Sequence, residues 1–381
     1  SRGLGDVYKR QLCYSVFRVE PYSGCPMGCI YCYSRWYSSR GGRIQVWDFE
    51  RAVSEVQGAG LIPVPFRLST LTEPFQDAEE KEKLSLRVLR AALRARYPII
   101  VNTRSTLISK DPWRATLQEM GEEGLVVLQV SVSTLSEKHK VLEPRAPSPE
   151  ELLGAAAKLA ERGVPLVVRY EPLIPGLSDL EDEAEKAFER FAEAGARHVI
   201  VEYLRIEREM LGLLREKVAL DPSPYFLEWE EYSIEKRGGP VKPPLAYRLE
   251  KLRTLRDLAT RKGLTFATCK EGTFDLRTSP ECCGAYLLGV RHLLRPTLAE
   301  AYKLLRERGA MSPLKLVSEL RRLPGWAAGS RVDAYPRPLR KGLRWHENVL
   351  ASMLVTGQAS KVTPQIVVEG DSIRAQPLPG L

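Results

Sequence analysis

The chain has 381 residues, 44% hydrophobic and 28% charged, enough to bury one large core or two modest ones, which excludes a disordered or peptide-sized module. Its formal charge of +9 suits a polyanionic partner and a basic enzyme alike, so charge alone assigns no function. No apolar run approaches the roughly twenty residues of a membrane helix and no leader of the usual type is read, so a soluble, cytoplasmic protein without a membrane partner is expected. Asp6 to Gln11 reads DVYKRQ, similar to a translated sequencing-library adapter, so residues 1–11 are expected to be an adapter artefact outside the fold. From Ser15 to about Arg205, short β-branched runs alternate with amphipathic helices. The strand candidates are Ser15 to Val19, Pro65 to Ser69, Ile99 to Asn102, Val126 to Ser133, Pro165 to Glu171 and His198 to Leu204. Ala78 to Arg96 carries Leu84, Val88, Leu89, Ala92 and Leu93 at helical spacing. Ser148-Pro149-Glu150-Glu151 is a capping box that launches a helix ending near Gly163, and another helix starts at Ser178 or Asp179 and ends at Gly195. Alternation of this kind predicts an α/β fold with a parallel sheet, either doubly wound or a full or partial barrel, with its chemistry at the C-terminal strand ends.

Beyond Arg205 the rhythm changes. A proline- and glycine-rich stretch leads to a helix at about Leu245 to Lys262 and a short strand, Leu264 to Thr268. Helical patterns follow at Leu298 to Arg308 and Pro313 to Leu323, then a proline-broken basic segment. A linker near 235 divides the chain into a first domain, 12–235, and a mixed, mostly helical C-terminal extension, 236–381.

Cys25, Cys29 and Cys32 form C-x3-C-x2-C in a Gly- and Pro-bearing loop. Three thiolates so close in sequence can wrap one inorganic centre. A closed zinc site or an ordinary 4Fe-4S protein wants a fourth ligand, and none lies nearby, so one iron of a cluster is left open. A zinc loop completed by Cys13 or by the distal cysteines is the alternative. With an aromatic before the third cysteine, the motif resembles the radical S-adenosylmethionine (SAM) superfamily. Glu20 through Arg35, Thr72-Glu73-Pro74-Phe75-Gln76 with Glu79, Thr103-Arg104-Ser105-Thr106, Leu142 through Ser148 and Arg169 through Gly176 are similar to spore photoproduct lyase and its relatives among DNA-repair radical enzymes.

The resemblance implies a partial (β/α)6 radical SAM barrel, a 4Fe-4S cluster on Cys25, Cys29 and Cys32, SAM as cofactor, and an external reductant such as a ferredoxin or flavodoxin. It places Tyr31 against adenine, Thr72 and Glu73 at the position of the motif for the methionyl amino group (without the usual Gly-Gly-Glu), and Arg104, Ser131 and Arg169 where groups for the carboxylate and ribose stand. Ile174-Pro175-Gly176 would bring backbone close to adenine. The cofactor would supply a 5′-deoxyadenosyl radical. Spore photoproduct lyase returns a hydrogen through a cysteine between its second and third strands. Here no cysteine lies between Cys32 and Cys269, which argues against that strict reaction.

Cys269, Cys282 and Cys283 are read as catalytic candidates, either hydrogen donors with Cys269 foremost or an auxiliary cluster or zinc site, against three buried small hydrophobes. Between Arg321 and His346, basic residues interleave with Trp326, Tyr335 and Trp345, a pattern that could contact nucleic acid. The expected function is a lyase-like radical SAM enzyme acting on nucleic acid, in the reading of pyrimidine lesion repair. The alternatives are a radical SAM enzyme of a peptide, tRNA or metabolite with an auxiliary cluster, and a non-enzymatic iron–sulfur or zinc protein that binds nucleic acid.

Overall fold

The β-branched runs of the first half pair side by side in sequence order. The computed structural model describes residues 7–15, 17–36, 46–234 and 238–379, the side chains of Arg35 and Trp36 excepted. Residues 1–6 of the expected adapter segment, Val16 of the first strand candidate and residue 235 at the linker lie outside the described residues. Strands β1 (Phe17–Val19), β2 (Phe66–Leu68), β3 (Ile99–Thr103), β4 (Val126–Val132), β5 (Leu166–Leu173) and β6 (Ala196–Tyr203) run parallel, each bonded to its sequence neighbour. After a two-residue antiparallel ribbon, β7 (Glu230–Glu231) with β8 (Val241–Lys242), the helix Leu245–Arg261 returns the chain to a seventh parallel strand, β9 (Thr265–Thr268), beside β6. The sheet therefore has β1 and β9 as its edges. The strand predicted at Leu264 to Thr268 is part of this sheet, which draws on residues from both sides of position 235. The reason is packing: Phe266 joins the main core while Ala267 faces inward beside Val167 and Ile200.

Alternation along each strand builds two apolar layers. Val101, Leu128, Val130, Val168 and Val201 face the covering helices, while Ile100, Val127, Val167, Ile200 and Ala267 face the barrel interior near the strand N-termini. Strand β4 is buried at every position, as parallel strands covered on both faces are. The helix Pro149–Ala160 begins as the capping box predicts: Ser148 Oγ accepts from the Glu151 amide at 3.2 Å, and the Glu151 carboxylate accepts from the Ser148 amide at 2.8 Å.

The long helix expected over Ala78 to Arg96 is instead two, Asp77–Glu82 and Leu84–Arg94, broken at Lys83 with φ of 52°. The fully buried Glu79 carboxylate accepts the amides of Ser85 and Leu86 at 2.9 and 2.8 Å and the Trp113 indole N–H at 2.7 Å, with the Tyr22 hydroxyl beside them. An anion at that helix N-terminus satisfies orphaned donors, and this outweighs continuity of the helix.

The C-terminal region packs helices Leu298–Arg308, Pro313–Arg322 and Arg337–Val355 against a hairpin of β10 (Ile366–Glu369) and β11 (Ser372–Ala375). The basic segment read as proline-broken is helical from Arg337 because Pro336 and Pro338 occupy positions where a helix needs no N–H. The turn Lys9–Leu12, expected up to Gln11 to lie outside the fold, also packs here: Leu12 joins this core, and Gln11 is fully buried, accepting from Arg295 at 2.9 Å. Among the described residues, no helix is long and apolar enough to cross a membrane.

Candidate functional site at the barrel mouth

The C-terminal strand ends surround a cavity that opens to solvent. Cys25, Cys29 and Cys32, on the loop that follows β1, all line it. The loop is tied down on its far side, where the Ile30 amide donates to Leu142 O at 3.0 Å and the Arg145 amide donates to Met27 O at 3.3 Å. Tyr31, Thr72, Glu73, Arg104 and Ser131 line the same cavity, while Arg169 stands behind its wall.

Carboxylates organise this mouth. Glu20, at the end of β1, accepts from the Thr70 amide at 2.8 Å, the Leu71 amide at 3.1 Å, Ser69 Oγ at 2.7 Å and Thr72 Oγ1 at 3.2 Å, which shapes the loop after β2. Glu73 is buried and accepts from the Phe75 amide (3.0 Å), Thr103 Oγ1 (2.5 Å) and the Arg104 amide (2.7 Å). Burial raises its carboxyl pKa against the pull of these donors. Both Glu73 oxygens are thus engaged in joining the β2 loop to the end of β3.

Arg104 donates to Glu143 at 2.5 Å and to Glu171 O at 3.0 Å, and the Tyr31 hydroxyl also donates to Glu143. Burial opposes the Arg104 charge, but Glu143, Tyr31 and the nearby thiol of Cys29 raise its pKa overall. Arg169 forks onto Glu171 with bonds of 2.5 and 2.7 Å and reaches Cys269 Sγ at 3.7 Å. Of that pair, Glu171 is the one facing the cavity. Glu20, Glu143 and Glu171, which hold these groups in place, are missing from the sequence-based site assignment, although each stands inside a motif quoted for the resemblance.

The donor set fits an iron–sulfur cluster. Burial pushes the Cys29 thiol up to about 12 and raises that of Cys25, so these thiols ligate only where a cationic centre draws off their protons. Among the described residues, three ligand atoms meet within 4.8 Å of one another only at Glu281, Cys282 and Cys283. The motif sulfurs are therefore spread wider than the roughly 3.8 Å edge of a tetrahedral zinc–thiolate site. Among the described residues, the cavity lining includes neither a fourth cysteine nor a histidine.

The distal cysteines lie deeper. A polar layer separates the mouth from the floor: Arg67 donates to Gln129 Oε1 at 2.7 Å, Arg169 reaches the same oxygen at 3.3 Å, and Gln129 Nε2 donates to Cys283 O at 2.6 Å. Cys282 and Cys283 are 3% exposed and pack with Ile100, Val127 and Val167 beneath this layer. Cys269 is buried against Arg169 and is absent from the cavity lining.

The basic segment occupies the same floor end. Trp326 stacks on Tyr14, with ring centroids 6.0 Å apart, and the Tyr335 hydroxyl donates to Ile62 O at 2.6 Å, residues that precede β1 and β2. Arg321, Arg331, Arg340 and Arg344 bond to neighbouring carboxylates or carbonyls. Trp345 is exposed. Any nucleic-acid contact by this segment falls on the face opposite the cavity.

Residues 19–191 match the family model of the radical SAM superfamily. Proteins of this superfamily use a 4Fe-4S cluster and SAM. The chain is 26% identical over 267 residues to a radical SAM Nalpha-GlyT isomerase of Pseudomonas phage M6, covering 68% of this chain and 55% of that protein. It is 35% identical over 146 residues to an uncharacterised protein of Acidianus two-tailed virus, covering 36% and 47%. The chain thus spans about half the length of these two relatives. Similar solved structures include a spore photoproduct lyase variant (TM-score 0.49, 15% identity, 70% of this chain and 80% of that one) and Streptococcus suis SuiB bound to SAM (TM-score 0.44, 15% identity, 67% and 50%).

Proposed function

We propose that this radical SAM enzyme binds its cluster and SAM in the mouth cavity and acts on a nucleic-acid-borne group, a damaged or modified pyrimidine, by rearranging it. The observation that carries the reading is the meeting of Cys25, Cys29 and Cys32 with Tyr31, Thr72, Glu73, Arg104 and Ser131 around one cavity at the strand C-termini. The bound group supplies a 5′-deoxyadenosyl radical by reductive cleavage of SAM, with the electron coming from an external reductant such as a ferredoxin or flavodoxin. The chain supplies placement. Glu143 positions Tyr31 and Arg104 against the cysteine loop, Glu73 fixes the end of β3, and the Arg169 fork aims Glu171 at the cavity.

Two observations support rearrangement of a nucleic-acid group over strict photoproduct cleavage. Cavity-lining cysteines are confined to the three of the loop, so a substrate there meets no further thiol to return its hydrogen. The relative that aligns over two thirds of this chain is named an isomerase, and in an isomerisation the hydrogen taken from the substrate can return to the rearranged radical from the methyl group of 5′-deoxyadenosine, so no thiol donor is needed.

Anaerobic reconstitution tests the first half. About four irons per chain and 5′-deoxyadenosine release on reduction with SAM are expected, both lost in C25A/C29A/C32A. Release of the nucleoside by that triple variant overturns the assignment. Transfer of deuterium from labelled pyrimidine oligonucleotides into the nucleoside tests the second half, and transfer from a peptide instead refutes the substrate class.

A further inference from the structure

The floor of the barrel holds a group of side chains that the mouth chemistry does not use. Cys13 lies just before β1, and Cys282 and Cys283 follow β9, so residues flanking the two edge strands of the sheet converge. Cys282 Sγ and Cys283 Sγ are 3.8 Å apart, and the Cys13 thiol, outside the 4.8 Å cluster of Glu281, Cys282 and Cys283, is near enough to Cys283 to interact with it electrostatically. A carboxylate oxygen of Glu281 lies within 4.8 Å of both vicinal sulfurs. Gly284, with φ of 73°, makes the approach feasible: a Cβ there would sit 2.8 Å from Val167 Cγ2.

We propose that Cys13, Cys282, Cys283 and Glu281 form a structural site for one soft divalent metal ion, zinc by its donor chemistry, that clasps the two edges of the open barrel at its floor.

Geometry selects a single ion. Zinc–sulfur bonds of about 2.3 Å set tetrahedral sulfurs about 3.8 Å apart, the separation the vicinal pair already has. Three sulfurs and one carboxylate oxygen complete a four-coordinate set once Cys13 turns from Ser15 O, which it meets at 3.7 Å. His198 is not a ligand, because its Nδ1 bonds to Thr265 and its Nε2 to Cys282 O.

Charge supports the same reading. Glu281 is 4% exposed, and its oxygens accept from the backbone amides of Cys283 and Tyr286 at 2.5 and 3.2 Å. Three thiolates and this carboxylate would carry four negative charges. One divalent cation and the guanidiniums of Arg67, Arg277 and Arg295, each of which interacts with one or more of the thiols, supply five positive charges, enough to offset them. The ion would join Cys13, four residues ahead of Phe17 at the start of β1, to the chain beyond β9, and so brace the strand that carries the cysteine loop.

Metal analysis of C25A/C29A/C32A, expressed without added chelator, leaves the floor intact and isolates its content. About one zinc per chain is expected, retained through gel filtration, and cobalt substituted for it should show thiolate-to-metal absorption. Adding C282S/C283S should lower zinc at least tenfold, and E281Q should speed its loss to a chelator. Iron with sulfide in the triple variant, a disulfide among Cys13, Cys282 and Cys283 by mass spectrometry, or three free thiols without metal would each overturn the proposal. Loss of 5′-deoxyadenosine formation in the triple variant leaves this readout untouched, so the two readings fail separately.

Discussion

Arg104 is where a residue expected to bind cofactor and one that shapes the site make opposite predictions. Its guanidinium bonds to Glu143 at 2.5 Å and to Glu171 O at 3.0 Å, with side-chain exposures of 15% for Arg104 and 6% for Glu143. Removing one partner of such a buried pair costs about 3–5 kcal/mol, because the other is left charged and unpaired. Arg104→Met should therefore destabilise the cofactor-free chain by about 3 kcal/mol or more. Glu143→Gln, which keeps an acceptor for the Tyr31 hydroxyl, should cost about 1.5–3 kcal/mol. The double variant removes both charges and should cost less than the sum, with a coupling of about 1–3 kcal/mol. Urea unfolding of the cofactor-free chain under reductant, followed by tryptophan fluorescence, gives the four free energies. Michaelis constants for SAM in 5′-deoxyadenosine release complete the cycle. A guanidinium that bound the SAM carboxylate directly would give stabilities additive within about 0.5 kcal/mol and a large rise in KM from Arg104→Met alone, and that result would refute the clasp.

Three further outcomes follow from packing and charge. Although burial works the other way, Arg248 and Lys242 hold the Glu271 carboxyl down to about 2 from an ordinary 4.5. A depressed carboxylate contributes stability above its unfolded pKa and loses it as pH falls toward the folded value, so about 3 kcal/mol should disappear between about pH 4.5 and pH 2; an unchanged acid limb in Glu271→Gln would contradict this. Glu79→Gln turns amide N–H groups toward the donors that cap the helix Leu84–Arg94 and should cost about 2–4 kcal/mol by thermal unfolding, with a loss under about 0.5 kcal/mol counting against the capping role. Gly124→Ala puts a Cβ 2.6 Å from Gly289 Cα at a φ of 67°, so it should destabilise by about 1–3 kcal/mol and open the segment after Cys283 to proteolysis; normal stability would mean the two backbones are not in contact.

How far the sequence led depended on the distance over which each feature is encoded. The alternation of strands and helices and the capping box at Ser148 are local, and they were legible. The break at Lys83 was not, because its cause is Glu79 folding back on the next helix while Tyr22 and Trp113 approach from other segments. Strand β9 was recognised as a strand yet assigned to the C-terminal extension, since only its pairing with β6 reveals that it belongs to the barrel. The helix Arg337–Val355 was obscured by two prolines that sit at its start, where they do no harm.

The same distinction separates the mouth from the floor. The mouth is written in one short motif, because three thiolates that share a polynuclear centre are most easily delivered by one loop; spacing alone exposes them. The carboxylates that tune it come from four strand ends, and their partners are visible only when those ends meet. Arg169 illustrates the cost of reading without that meeting: from its position at a strand end it promises a fork for a ligand carboxylate, and the fold satisfies the fork with Glu171 two residues along the same strand. A free arginine and a spent one are identical in sequence, and only the pairing of their neighbours tells them apart. At the floor, Cys13 and Cys283 stand at opposite ends of the sheet's chain path, so nothing local marks them as neighbours, and closure of the strands is what turns scattered thiols into a set of ligands.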